Sequence, residues 1–281
     1  VGIVHSLVEL RAKLHEAVAA FPALLSAGKG LEYPHMHVYE TGLIRWSAIL
    51  GVILFIALSS VSLVHADPGV TMSANGNGMA NAGPNDPMAQ VKNGVSDVID
   101  VFKTPDTPLK VRREKLRELG AQYFDFESMT RSVMGYHWRE LSPAQRIEVV
   151  SLFTNFINDA YLSKLQDYSV KKVEEELPTV NIQFTRETFD GAEYAEVYST
   201  ITLKEQKDPI ALNYLMHLTN GKWKVYDVTV DAISVIANYR NQFNRVMNEG
   251  GYDKLTADLR AKTLGLQQQL DTPNPQSPRT N

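Results

Sequence analysis

The sequence predicts an α+β domain: a twisted four-stranded antiparallel sheet with helices laid against one of its faces. The prediction rests on the apolar period. It is helical from Val91 to about Leu165, becomes two between about 179 and 230, and turns helical again from Ile233. Elements in that order can bury their apolar faces only by stacking helices on a sheet.

Val91, Val95, Val98 and Phe102 recur at helical spacing, and a charged helix follows from Leu109 to Leu119. Ser142-Pro143-Ala144-Gln145 opens a third helix. Ser142 can cap free backbone amides and Gln145 can reach back to it, while Pro143 suits a first position where no N–H is needed. The buried stripe expected on this helix is Ile147, Val150, Phe153, Ile157, Tyr161 and Leu165. Strands are expected at 179–189, 192–204, 210–219 and 222–230, with Pro209 in the middle loop. Asp190-Gly191 and Asn220-Gly221 read as two-residue hairpin turns, because these residues tolerate positive φ. Such turns set a register in which Phe184 faces Val197, Met216 faces Val225 and Tyr214 faces Asp227. Ile233, Ile236, Tyr239, Phe243 and Val246 then form an amphipathic helix ended by Gly250-Gly251, and Leu255, Leu259 and Leu266 continue on a final one.

Before this domain stands the one long apolar run, residues 46–64, preceded by Arg45 and followed by Val64-His65-Ala66. Basic residue, apolar core and small-residue cleavage site, in that order, read as an export signal. A membrane anchor is the other reading, since about 19 apolar residues can just span a bilayer. Ser59, Ser60 and Ser62 soften the run and no basic cluster follows it, which favours cleavage. The expected organisation is an N-terminal extension (1–42, with Met36 an alternative start), a signal (43–66), a flexible Gly/Asn/Pro-rich leader (67–87), a folded domain (88–270) and a tail (271–281). The leader's Gly76, Gly78 and Gly83 lack the spacing and preceding strand of a dinucleotide site.

The net charge of −4 over 281 residues argues against a nucleic-acid binder, which would show a basic face. With no cysteine there is no disulfide, thiolate nucleophile or cysteine metal site. No metalloprotease, serine-hydrolase, phosphate-loop or dinucleotide motif occurs in the exported part. His137 and His217 have no partners at metal-ligand spacing, so neither a metal nor a cofactor is expected. Glu174-Glu175-Glu176 reads as a solvated run. Asp227 shares its expected face with Trp223 and Val225. It is either a carboxylate of raised pKa able to act as a base, or one hydrogen-bonded to Tyr214 or a nearby backbone amide. The apolar surplus of strand 210–219 and its covering helices fits a packed core and a greasy pocket equally.

Two blocks resemble a known family. Tyr123 to Tyr161 carries Phe124-Asp125-Phe126, Gly135, Trp138-Arg139, Ser142-Pro143, Phe153, Phe156 and Tyr161. Trp223 to Leu259 carries Tyr226-Asp227, Ser234, Asn238-Tyr239-Arg240, Phe243 and Gly250-Gly251. In this order they resemble the MlaC family, the toluene-tolerance auxiliary proteins, over nearly all of 88–266. Ala232 stands where the family usually has glycine.

The resemblance implies a nuclear-transport-factor-like cone plus a helical subdomain enclosing an apolar cavity. It implies a monomeric, non-enzymatic periplasmic carrier that takes phospholipid between an outer-membrane lipoprotein complex and an inner-membrane ABC transporter with a lipid-binding ring. Together with the inward-facing positions it implies that Phe153, Ile157, Tyr161, Phe184, Val197, Ile201, Leu212, Tyr214, Met216, Val225, Ile236 and Tyr239 contact the lipid. The alternatives are a carrier of another lipid, such as a hopanoid or terpenoid, a small hydrolase or isomerase of the same cone using Asp227, and a packed adaptor.

Expressed in a bacterium that exports it, the chain should be recovered by osmotic shock with Asp67 at its N-terminus. N-terminal sequencing that finds Val1 or Met36 on a membrane-bound product overturns the export reading.

Overall fold

The computed structural model describes residues 86–104, 107–166, 180–203 and 209–271. The N-terminal extension, the export signal, the leader up to residue 85, the Glu174-Glu175-Glu176 run and the tail from residue 272 lie outside the described residues, as does the Leu165 side chain.

Helix α1 (Pro87–Lys103) starts at Asp86, whose carboxylate accepts from the Met88 N–H at 2.9 Å, with Pro87 in the first turn. The same N–H donates to Glu187 at 3.0 Å, which ties the helix start to the first strand. The last two leader residues therefore take part in the helix start. Val91, Val95, Val98 and Phe102 are buried as their spacing predicts. Helix α2 (Leu109–Tyr123) follows, then α3 (Phe126–Met134) and a single 3-10 turn (Gly135–Arg139). Helix α4 (Pro143–Gln166) begins with the predicted reciprocal cap: the Gln145 N–H donates to Ser142 Oγ at 3.2 Å, and the Ser142 N–H to Gln145 Oε1 at 2.9 Å.

The stripe of α4 is corrected. Ile147 is 74% exposed and Val150 half-buried, and the buried face is Val149, Phe153, Phe156, Ile157, Ala160 and Tyr161. The last helix selects that face. Phe153 meets Tyr239 and Phe243 edge to face at 5.7 and 5.6 Å, and Phe156 meets Tyr239 at 6.1 Å. Ile147 lies two residues before Val149, roughly 200° around the helix from this seam. The expected pair of C-terminal helices is one element, α5 (Val235–Asp271), broken only at Gly251, where φ is 68°.

The sheet has the four expected long strands, β1 (Val180–Asp190), β2 (Tyr194–Leu203), β3 (Ile210–Thr219) and β4 (Lys222–Val230), plus a fifth of two residues, β5 (Ile233–Ser234). All pair antiparallel in the order β1-β2-β3-β4-β5. Met216 faces Val225 as predicted, but the other two predicted pairs are wrong. Asp190 pairs with Tyr194, so three residues rather than two form the first turn, and a bulge between Phe184 and Arg186 recovers one position; Phe184 therefore faces Ser199. A bulge at Leu215/Met216 moves Tyr214 onto Val228 and leaves Asp227 opposite Leu215. A bulge adds one residue to one strand and shifts everything beyond it.

The rings of Phe189 on β1 and Trp223 on β4 are 6.0 Å apart although two strands separate them. Flat strands about 4.8 Å apart would hold them about 14 Å apart, so the sheet curls strongly at this end. Helix α1 lies across β1, β2 and β4, α2 bridges β4 and α4, and α4 pairs with α5. No helix among the described residues is long and apolar enough to cross a membrane.

The turn into β5 places Asp231 and Ala232 at φ 47° and 67°. A Cβ in the left-handed region costs about 1–2 kcal/mol, and glycine removes that cost while losing about 0.5–1 kcal/mol of chain entropy. Ala232→Gly should therefore stabilise the domain by about 0.5 kcal/mol in urea unfolding. A measured loss of stability would contradict this account of the turn.

Candidate functional site

A cavity of about 60 Å³ lies between the helices and β4. Its partly exposed rim is Leu119 and Gly120 of α2, Phe126 of α3 and Asn158 of α4. Behind the rim stand buried residues: Val98, Leu116, Tyr123, Met129, Ile157 and Tyr161 from the helices, with Phe124, Val228, Val235 and Ile236 around β4. The wall is apolar or aromatic except for the Asn158 amide and the Asp227 carboxylate. Leu116, Gly120 and Tyr123 recur at i, i+4 and i+7, which brings them to one face of α2.

Asp227 is 8% exposed, and its pKa is raised because burial outweighs the hydrogen bonds made to it. Those bonds are numerous. Oδ1 accepts from the backbone N–H groups of Val228 (2.7 Å) and Ile236 (3.1 Å), and Oδ2 accepts from Ser234 Oγ at 2.5 Å. Ser234 Oγ in turn accepts from the Ala237 N–H at 2.8 Å. Asp227 thus binds the first turn of α5, and its partners are backbone amides and Ser234 rather than Tyr214. The Asp227 carboxylate also raises the pKa of Tyr161, after burial itself.

A second buried carboxylate, Asp125, caps α3 by accepting from the Ser128 N–H (3.0 Å). Its Oδ2 accepts from Ser128 Oγ (2.8 Å) and Thr219 Oγ1 (2.9 Å) and lies 3.0 Å from His217 Nδ1. Serine, histidine and aspartate stand together here without forming a catalytic relay. In a relay the acid and the hydroxyl address opposite ring nitrogens, whereas Ser128 Oγ lies 3.3 Å from the same Nδ1 that Asp125 holds. The 92 residues between Asp125 and His217 hide this cluster from any reading of local motifs. His137 is buried, with Nδ1 2.9 Å from Glu140. No group of three His, Asp or Glu side chains able to hold a metal occurs among the described residues.

Of the twelve residues singled out from sequence, Ile157, Tyr161 and Ile236 wall the cavity and the other nine do not line it. Val197, Ile201, Leu212, Tyr214, Met216 and Val225 are buried on the inner face of the sheet, where Phe184 is half-buried with its ring 6.4 Å from Tyr214. Phe153 and Tyr239 are packed between α4 and α5. The Tyr239 hydroxyl is buried with no hydrogen-bond partner among the described residues, and that of Tyr214 is buried beside Ser199.

The family model described as "MlaC protein" matches residues 92–261, more than half of the 281 residues. The chain belongs to the MlaC family. The intermembrane phospholipid transport system binding protein MlaC of Haemophilus influenzae is 24% identical over 139 residues, which are 49% of this chain and 61% of that protein. The match therefore spans less than two thirds of the relative's length. The phospholipid-binding protein of Ralstonia solanacearum, solved in complex with a phospholipid, superposes on this MlaC-family fold with a TM-score of 0.54 at 23% identity, over 65% of this chain and 99% of that one.

In this MlaC-family domain burial works to raise the Asp125 pKa, but the bonds from Ser128, His217 and Thr219 outweigh it and hold the group below its ordinary value. A depressed carboxylate stabilises the fold fully above its unfolded pKa of about 3.9, and that contribution is lost as pH falls through the folded value. Asp125→Ala should cost about 1–3 kcal/mol at pH 7, since it removes the cap and the acceptor together. The deficit against wild type should shrink below about pH 4 in urea melts; a deficit that grows on acidification would contradict the assignment.

Proposed function

We propose that this MlaC-family chain is a periplasmic carrier that binds one phospholipid in an apolar cavity and exchanges it with an outer-membrane lipoprotein complex and an inner-membrane ABC transporter bearing a lipid-binding ring. The observation that carries the reading is the apolar wall between helices and curled sheet, whose one carboxylate is occupied by the first turn of α5. The names of the Haemophilus and Ralstonia proteins, which include intermembrane phospholipid transport and a bound phospholipid, support it. The chemistry calls for such a wall. About thirty methylenes leave the membrane with a two-tailed lipid, and at about 0.8 kcal/mol each roughly 24 kcal/mol opposes their exposure to water.

A cavity of about 60 Å³ has room for about five water-sized spheres, far less than two acyl chains need. Loading therefore requires the α1–α2 layer to part from the sheet. The chains would then meet the inner positions Phe184, Val197, Ile201, Leu212, Tyr214, Met216 and Val225, besides Ile157, Tyr161 and Ile236, with Phe153 and Tyr239 at the helical side. The Tyr239 hydroxyl, without a partner among the described residues, fits a core that opens. A buried orphan hydroxyl costs about 1–3 kcal/mol, which contact with water or a polar ligand atom removes.

Mass spectrometry of the natively purified protein should find about one diacyl phospholipid per chain, and a diazirine-acyl phospholipid should crosslink to peptides of α4, β3 and the start of α5. A lipid-free protein with labels confined to exposed helix faces overturns the carrier, and a recovered hopanoid or other terpenoid replaces the ligand.

A further inference from the structure

The rim of the cavity carries a single hydrogen-bonding side chain. Of its four residues, Leu119, Gly120 and Phe126 offer only apolar surface, while Asn158 presents a carboxamide. Asn158 is half-buried and makes no side-chain hydrogen bond among the described residues. It stands three residues before Tyr161, on the same face of α4, so both project toward the cavity they line. Across the rim, Gly120 leaves open the space beside this amide: a Cβ there would lie 3.3 Å from Asn158 Oδ1 and 3.8 Å from the Phe126 ring. Glycine inside a helix costs about 1 kcal/mol relative to alanine, so the gap beside the amide is kept at the expense of helix stability.

We propose that Asn158 is a specificity-determining residue that reads the ester linkage of a diacyl lipid, its amide N–H donating to an ester carbonyl as the tails pass the rim. The inference rests on the carrier reading above and adds to it what distinguishes an acyl ester from other apolar cargo. Position supports the assignment. A lipid entering tails first has its hydrocarbon behind the rim and its head group outside, so the linkage between them stops at the level of the partly exposed residues. An amide there costs nothing while water can reach it, and it regains a partner when the lipid displaces that water. A hydrocarbon cargo offers no acceptor at this level, and an ether-linked one offers only an ether oxygen, a weaker acceptor than the ester carbonyl.

The test compares a diester phosphatidylglycerol with its diether counterpart of equal chain length, each titrated from mixed vesicles into delipidated full-length mature protein. Wild type should prefer the diester by about five-fold, the effect of one net hydrogen bond. Asn158→Leu should lose that preference, the affinities for diester and diether converging. Gly120→Ala, which favours the helix and so keeps the fold, should reduce the preference by crowding the amide. Wild type that binds both lipids equally overturns the role of Asn158 and leaves the carrier reading standing. A preference that survives Asn158→Leu assigns recognition elsewhere and also overturns it. If wild type binds neither lipid while its melting curve is intact, the carrier reading fails and takes this inference with it.

Discussion

Two buried carboxylates fasten helix starts to strand β4, and the cavity lies between the fastenings. Asp125 donates its backbone N–H to Val225 O at 2.9 Å while its side chain caps α3 and holds Thr219 and His217 of β3. Two residues further along β4, Asp227 holds the first turn of α5 through Ile236 and Ser234. Burying a carboxylate is costly unless hydrogen bonds replace its water, and each of these has at least three donors or donor-bearing rings around it. The geometry of those bonds is what fixes Phe124, Phe126, Val235 and Ile236 around Val228, and these residues are a large part of the cavity wall. Had either acid been a free catalytic base, this frame would lose its anchor.

The helical layers differ in how they are held. Helices α4 and α5 share the edge-to-face cluster of Phe153, Phe156, Tyr239 and Phe243, and Arg260 pairs with Glu148 along the same seam. The link from α2 to this pair is polar: Arg117 meets Asp159 at 2.6 Å, with Gln267 on the other oxygen, and Arg113 donates to the Leu270 carbonyl. Parting this seam would return the buried Asp159 carboxylate and its Arg117 and Gln267 partners to water, which hydrates all three, whereas separating the aromatic seam would expose large apolar area. Any opening is thus expected on the α1–α2 side, where the rim of the cavity already lies.

Helix starts, the turn at Asn220-Gly221 and the strand period were legible because each is a local device: a cap, a positive φ, an alternation. Register was not, because the first turn runs over residues 191–193 and moves Phe189 from residue 192 to Ala195, each of two bulges shifts the pairing by one, and nothing in the residue types at Thr185 or Tyr226 announces a bulge. Phe153, Ile157 and Tyr161 of the α4 stripe are buried as expected, but its first turns were misread for a related reason. Ile147 and Val149 are equally apolar, and only the position of Phe243 and Tyr239 on a helix some ninety residues later decides between them. The cavity wall drawn from α2 was missed because that helix carries charge on most faces, although the spacing of Leu116, Gly120 and Tyr123 held the signal. Sequence marked the inner sheet as the apolar surface; the packing puts the open space one layer over, against the helices.

On the proposed carrier reading, that displacement has a physical reason, since such a protein exists both with and without cargo. Pockets that enclose ligands run to about 300–1,000 Å³, and a dry void costs about 24 cal/mol per Å³. A preformed space of that size, kept dry, would cost about 7–24 kcal/mol, against a total stability of about 5–15 kcal/mol for a domain. Filling it with water instead would wet the inner faces of β2 and β3. A carrier of this kind escapes both penalties if its own side chains fill the space after release, as Val197, Leu212, Tyr214 and Met216 do here beside a cavity of about 60 Å³. The cost of reopening then falls on the moment when acyl chains are present to replace those contacts. On that reading the cavity, the large apolar interior and the Tyr239 hydroxyl, which has no partner among the described residues, belong to one arrangement: a core packed well enough to fold and loose enough at one layer to yield to lipid.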